Sequence, residues 1–409
     1  MTRPAREVNV LVVGAGPAGL AAAARLAAAG VARVEVLDRE QDAGGVPRHC
    51  HHGGFGTWTH PLTGPAYARL VRDAAVRAGA VVRTGVTALD WAGPLALDTV
   101  GPQGAETVRA VAVVLATGAR ERPRAARLVP GTRPNGVYTT GELQQAVHLY
   151  GQRIGARAVV VGAEDVSYSA ADTVRAAGAE VVAMVTELGR AQTTPARAHS
   201  ARLRHRVPLL TDTTVTELLG HGRLSGVRVR HRDGRSARLT CDTVVFTGDF
   251  VPDHELARRG RLVLDPGTRG PAVDGALHTS RPGVFAAGSL PHPVESAATA
   301  TRDGVRVAAA VLESLAGAEW PCRAVPLVVE PPLRWIAPNL VAPGDEHPYV
   351  LRTSVPARWP VLQVVQDGRL LHQERLRAAV PHRTLTLTAR WTRLVDGNGG
   401  PVRVTLAGR

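Results

Sequence analysis

The segment Gly14-Ala15-Gly16-Pro17-Ala18-Gly19 constrains this chain more than any other feature. It follows a continuous apolar run, Val8 to Val13, and precedes the alanine-rich stretch Leu20 to Ala29, which Gly30 closes. A short unbroken apolar run reads as a strand buried on both faces. The alanine-rich stretch reads as a helix, and Val34 to Leu37 as a second strand ending on Asp38. Strand, G-x-G-x-x-G turn, helix, strand and acid, in that order, form a βαβ dinucleotide-binding unit. Gly14 permits the tight turn, Gly16 lets the backbone approach a pyrophosphate, and Gly19 lets helix and strand pack closely. Pro17 and Ala18 lie in the turn before the helix, whose N-terminus carries free N–H groups and partial positive charge that suit phosphate. Asp38 is placed to accept hydrogen bonds from ribose hydroxyls.

A helix over about Gly64 to Ala78 and a strand near Val81 continue the alternation. The same grammar restarts at Arg157: a strand Ala158 to Val161, a turn at Gly162, a helix Val166 to Ala177 and a strand Glu180 to Val185. Val244 to Phe246 and Val284 to Ala287 read as a return to the first domain, closed by a helix Val305 to Leu315. From about Trp320 proline becomes frequent and period-2 alternation appears, with a hairpin turn signal at Asp367-Gly368. The expected fold class is therefore α/β, with two nested Rossmann-like dinucleotide-binding domains and a small C-terminal antiparallel β module. The expected boundaries are 1–142 and 243–318 for the first domain, 143–242 for the second and 319–409 for the module.

In the second unit the fingerprint would need glycine at 162, 164 and 167, but only Gly162 is present; Glu164 and Ser167 fill the other places. A Glu side chain at the point of closest approach blocks a pyrophosphate, and Glu164 with Asp165 puts negative charge where phosphates would sit. The same acids also stabilise a helix N-terminus. Either way the expectation is an NAD site that is absent or weak.

Composition removes several other classes. The net charge is +14, yet all 49 basic residues are arginine and they are scattered along the chain. A dispersed excess is not a nucleic-acid stripe or patch. Without lysine there is neither Schiff-base chemistry nor a P-loop lysine. Three distant cysteines, Cys50, Cys241 and Cys322, exclude a disulfide scaffold and a four-thiolate metal or iron–sulfur site within the chain. The run His49-Cys50-His51-His52 lacks metal-ligand spacing, so no metal is expected. No signal-peptide pattern or membrane-length apolar stretch occurs, which makes a cytoplasmic protein without a membrane span the expectation.

Two further strand ends, Leu115-Ala116-Thr117-Gly118-Ala119 and Gly283-Val284-Phe285-Ala286-Ala287-Gly288-Ser289, bring out a resemblance. Over roughly residues 8 to 315 the chain resembles the FAD-dependent pyridine nucleotide-disulfide reductase superfamily, with its glutathione-reductase-like paired domains. The resemblance implies FAD held by Gly14 to Gly19, by Asp38 with Arg39, and by Gly44-Gly45 with Val46 and Arg48. It also implies contacts near Val86, at Ala116-Thr117-Gly118, at Gly288-Ser289 and at Glu295. Ser289 stands where the family usually carries Asp, and it can still donate or accept a hydrogen bond. The segment holding His292 and Glu295 would start a helix whose N-terminus faces the flavin pyrimidine.

The segments Gly44 to Cys50, Gly136 to Gly141 and Thr247 to Leu256 resemble, more specifically, the FAD subunits of amine-oxidising dehydrogenase complexes. These are of the opine oxidase, hydrogen cyanide synthase and D-hydroxyproline dehydrogenase type. That likeness implies a small amine or amino-acid substrate and a partner, either a second flavoprotein or a small iron–sulfur protein. The alternatives are a stand-alone NAD(P)H-dependent reductase and a non-catalytic FAD-bearing relay subunit. Cys50 has no partner thiol nearby in sequence, so a dithiol relay is not expected. His49, Cys50 and His51 are the candidate catalytic residues, either lining the flavin face and moving protons or only shaping a loop there.

Overall fold

A computed structural model describes residues 4–57, 59–293, 295–321 and 324–407; Cys322 lies outside them. Contacts divide the chain into two units. The first comprises Met1–Arg48, Gly54–Ala119 and Val251–Arg409; the second comprises His49–Gly53 and Arg120–Phe250.

In the first unit, Val10, Leu11 and Val12 are fully buried because strands flank them on both sides and helices cover the sheet. The parallel layer runs Val81–Thr84, Val34–Asp38, Ala5–Val13, Gly104–Leu115, Val284–Ala286. Val12 pairs with Val36 on one side and Val114 on the other. The hairpin Thr87–Gly93 and Ala96–Gly101 branches antiparallel from the first half of Gly104–Leu115. Helices Pro17–Ala28 and Ala297–Leu315 pack so closely that a Cβ on Gly304 would stand 2.2 Å from the Ala18 carbonyl oxygen. The closing helix begins eight positions earlier than its apolar periodicity suggests, at a cap where the Ser296 hydroxyl accepts from Thr299 N at 3.2 Å.

The second unit has its own parallel sheet, ordered Val137–Thr139, Thr243–Phe246, Arg157–Val161, Glu180–Val185, Leu209–Leu210. Helices Thr140–His148 and Asp165–Ala176 pack on it, and an antiparallel trio, Thr213–Leu219, Gly226–His231 and Ser236–Leu239, completes the unit. This corrects the expected boundaries at 142 and 243. Val137–Thr139 and Thr243–Phe246 are neighbours in the second sheet, and the chain returns to the first unit at Val251. The physical reason is that a short apolar strand followed by Thr-Gly looks the same in either sheet. Only its pairing decides, and Val244 pairs with both Val137 and Val159.

The C-terminal module has a separate core around Tyr349, Leu362, Val364, Trp391 and Val402. One sheet runs Leu340–Val341, Val325–Val329, Val402–Ala407, Val361–Gln366, Arg369–Arg375. A second joins Leu333–Ala337, Tyr349–Thr353 and Leu385–Leu387. Pairing is antiparallel except between Val325–Val329 and Val402–Ala407. Asp367 and Gly368 both have positive φ, 48° and 78°, and form the two-residue hairpin turn the sequence signals. By contacts the module belongs with the first unit.

Candidate functional site

The first glycine turn has the shape a dinucleotide needs. Gly14 has φ 110°, and a Cβ there would stand 2.3 Å from the Ala116 carbonyl oxygen. A Cβ on Gly19 would stand 1.9 Å from the Gly14 carbonyl oxygen, so only glycine lets the helix start so close to the strand. Gly16 differs: a Cβ there would meet no protein atom within 4 Å. The space above Gly16 is thus open, as pyrophosphate approach requires. Gly45, with φ 63°, passes so near that its Cβ would be 2.8 Å from Gly16 Cα. Open space beside the N-terminus of the helix Pro17–Ala28 fits the pyrophosphate of FAD.

Asp38 organises one end of this turn. Its Oδ2 accepts from Ala15 N at 2.7 Å and its Oδ1 from Glu40 N at 2.9 Å. A carboxylate has about four acceptor positions, so capacity remains for ribose hydroxyls. Val86 lies alongside, buried, with its N–H donating to Asp38 O at 2.9 Å. Arg39 pairs with Asp253 at 3.4 Å and Arg48 with Asp42 at 3.0 Å, while Val46 is exposed. On the other strand end, Thr117 donates its hydroxyl to Asp253 O at 2.7 Å, and Asp253 N donates to Gly118 O at 2.9 Å. A Cβ on Gly118 would also meet open space. The role of Asp253 in holding this strand end is not readable from the sequence, because its partners lie 135 residues or more away. Nor is that of Tyr67, whose hydroxyl bonds that of Thr301 at 2.6 Å.

Gly288, with φ 71°, completes the turn after Val284–Ala286, and a Cβ there would be 2.8 Å from Ala18 Cβ. Beyond Ser289, His292 is buried, and burial followed by the nearby Arg352 and Arg306 charges pulls its pKa down to about 3, so the ring is neutral. Glu295 is held by Arg352 Nη2 at 2.9 Å and by the Thr384 hydroxyl at 2.8 Å and 2.9 Å.

The second turn is filled. Glu164 is buried and caps the helix Asp165–Ala176. Its Oε2 accepts from Ala163 N at 3.0 Å and its Oε1 from the Thr247 hydroxyl at 2.7 Å, while Ser167 Oγ lies 2.6 Å from Thr247 Oγ1. A Cβ on Gly162 would collide with Thr247 Oγ1 at 2.0 Å and one on Gly248 with Glu164 Oε1 at 2.5 Å. The carboxylate thus does both things the sequence left open: it caps the helix and it occupies the turn.

His49–Gly53 packs with the second unit. Cys50 donates to Gln144 Oε1 at 3.4 Å; burial, reinforced by the Glu121 charge, pushes its thiol up to about 12. His49 is buried, and His51 stacks on His148 with centroids 4.1 Å apart. Among the described residues neither Cys50 nor Cys241 is in a disulfide and no cluster suits a metal ion. A thiol that keeps its proton at neutral pH is a poor nucleophile. Cys50→Ser is therefore expected to leave flavin content and flavin reduction rate within about threefold of wild type, as a change of this kind within one hydrogen bond is worth under about 1 kcal/mol. A loss of several orders of magnitude in anaerobic stopped-flow would show a working thiol.

Glu121 is the titratable group the sequence did not reveal. Its Oε2 accepts from Gly141 N at 2.9 Å, and the Thr140 hydroxyl lies beside the same carboxyl. Burial lifts its pKa to about 7 against the opposing pull of the Gly141 N–H. An unfolded Glu titrates near about 4.3. The folded protein thus holds this proton more tightly, and its stability falls as pH rises between those values. Glu121→Gln is expected to melt above wild type at pH 8, by on the order of 2 kcal/mol, and close to it at about pH 4. Melting curves with a constant gap across that range would refute the assignment.

The family model described as pyridine nucleotide-disulphide oxidoreductase matches residues 8–304. The alpha chain of sarcosine oxidase from Corynebacterium sp. (strain P-1) is 31% identical over 293 residues, 66% of this chain and 29% of that protein. Thioredoxin reductase of Mycolicibacterium smegmatis is 30% identical, over 72% of this chain and 93% of that protein. An opine oxidase subunit from Agrobacterium tumefaciens (strain Ach5) is 36% identical, over 54% of this chain and 44% of that protein. The chain therefore spans less than a third of the sarcosine oxidase protein and less than half of the opine oxidase one. In fold it is similar to the thioredoxin reductase of T. acidophilum, with a TM-score of 0.65 at 24% identity over 76% of this chain and 100% of that one. With these matches and the fitted glycine cradle, the chain belongs to the pyridine nucleotide-disulphide oxidoreductase family and is an FAD-dependent oxidoreductase.

Proposed function

We propose that the chain is the FAD subunit of a complex that dehydrogenates a small amine or amino acid of the opine or D-hydroxyproline type, and that it passes the electrons to a partner subunit. The observation that carries this reading is the filled second turn. Glu164, Thr247 and Ser167 satisfy one another where a nicotinamide dinucleotide would place its phosphates. Bound FAD supplies a reversible two-electron centre. In this reading Gly14 to Gly19 hold the pyrophosphate, Asp38 the ribose, and Ala116 to Gly118 with Gly288 and Ser289 the remainder. His49, Cys50 and His51 shape the loop that begins the second unit. With no open nicotinamide turn and no thiol pair among the described residues, the donor and acceptor come from outside the chain. The oxidase-subunit names of two relatives support that arrangement, as does a β module lying outside the matched residues 8–304.

The partner is a second flavoprotein or a small iron–sulfur protein, on an interface of on the order of 1,600 Å² or more. A second reading, a stand-alone NAD(P)H-dependent reductase, draws on the match to 93% of a thioredoxin reductase, and the filled turn opposes it. Affinity purification from the native host, with identification of co-purifying chains, separates the two. A stoichiometric redox partner supports the complex; a chain that elutes alone and turns over with NADPH overturns it.

A further inference from the structure

The C-terminal module reaches the helix beside the nucleotide cradle through a largely buried ion pair. Arg352, on Tyr349–Thr353, and Glu295, immediately before the helix cap Ser296, have side chains only 13% and 11% exposed. The Arg352 fork is held at several points: Nη2 donates to Glu295 Oε1 at 2.9 Å, Nη1 to His382 O at 2.8 Å, and the guanidinium lies 5.6 Å from the centre of the Trp335 ring. Thr384 donates to the same carboxylate. Trp335 in turn lies 5.8 Å, ring to ring, from buried His292. From Glu295 the path to the glycine turn is short. The helix that Ser296 caps brings Ala300 and Gly304 to Ala18: a Cβ on Gly288 would touch both Ala18 and Ala300, at 2.8 Å and 3.8 Å, and one on Gly304 would strike Ala18 O. Packed interiors transmit such displacements because they have no slack.

We propose that the module is a positioning element for the cofactor, with Arg352 and Thr384 fixing Glu295 so that the helix Ala297–Leu315 and the Gly288 turn keep the geometry FAD requires. This rests on the assignment of the first glycine turn and the Gly288 turn to FAD. Arg352 and Thr384 lie beyond the matched residues 8–304, whereas Glu295 lies within them. Arginine suits the task because its planar fork holds a carboxylate, a carbonyl and an aromatic face at once. A lysine can keep the charge but not all three contacts.

The test uses the full chain, stripped of flavin and titrated with FAD, with the dissociation constant, the flavin midpoint potential and the melting temperature of the apoprotein recorded. Arg352→Met is expected to weaken FAD by tenfold or more and to shift the midpoint potential to more negative values, because the helix N-terminus that favours the reduced anion loses its fixed position. Thr384→Val is expected to weaken FAD by a few-fold, and Arg352→Lys to recover part of the Arg352→Met loss. Arg403→Ala, which breaks the exposed pair with Glu330 in the same module, is the control and stays within twofold. If Arg352→Met does not fold, Thr384→Val decides. FAD affinity and potential equal to wild type in the folded variants, with only the apoprotein melting lower, would overturn the proposal and leave the module a structural cap. A wild-type chain that fails to take up FAD would instead overturn the cradle itself.

Discussion

Gly16→Val is expected to abolish FAD binding while leaving the protein folded. Gly16 has φ −82° and ψ −176°, extended backbone that valine adopts without strain. A Cβ there meets no protein atom within 4 Å, so the new side chain starts into the open space a pyrophosphate needs. A loss on the order of a thousandfold in affinity, about 4 kcal/mol, is expected. The purified variant should be colourless and its apoprotein should melt within a few degrees of wild type. Gly19→Val is the contrast, because its Cβ would strike the Gly14 carbonyl oxygen at 1.9 Å and the unit should not fold. A yellow Gly16→Val protein would remove the first glycine turn from the FAD site.

The second large effect concerns the nicotinamide cofactors. NADH and NADPH at millimolar concentration are expected to reduce the flavin on the order of 100-fold more slowly than in a flavoenzyme with an open second turn, about 2.7 kcal/mol of lost binding or orientation. The cause is the Glu164 carboxylate, tied to the Thr247 hydroxyl at 2.7 Å within the turn at Gly162. Like charges and filled space oppose a phosphate at the same helix N-terminus that would otherwise attract it. Glu164→Gly should recover part of this loss, and the rest is held by Ser167 and Thr247, which remain bonded to each other at 2.6 Å. Rapid anaerobic bleaching of the wild-type flavin by either nucleotide would contradict this.

The parts of the fold that were legible in the sequence are those whose determinants are local. Gly14 to Gly19, the strand before it, the helix after it and Asp38 occupy fewer than forty consecutive residues, and each constrains the next. The Asp367-Gly368 hairpin is local in the same sense. Thr243–Phe246 was not legible, because whether it pairs with Val137–Thr139 or with the first sheet depends on contacts over a hundred residues apart. The first turns of the closing helix were hidden for a different reason: Ala297 to Gly304 carries threonine, arginine, aspartate and glycine in place of an apolar stripe, and its start is set by Ser296 and by packing on Ala18.

At the site, the glycines, Asp38 and the degenerate Glu164 position were readable from spacing alone. Glu121 was not, since nothing in Ala119-Arg120-Glu121-Arg122 distinguishes a carboxyl that folding buries beside Gly141. Nor was the Arg352–Glu295 pair, whose members are 57 residues apart.

The most direct test of the account is anaerobic reduction of the flavin in the complex isolated from the native host, compared across opines, D-amino acids and other small amines on one side and NADH and NADPH on the other. At least one amine or amino acid is expected to bleach the flavin rapidly, neither nucleotide is, and this chain separated from its partner is expected to respond to none of them. Rapid bleaching of the separated chain by NADPH, with no response of the complex to any amine, would contradict it.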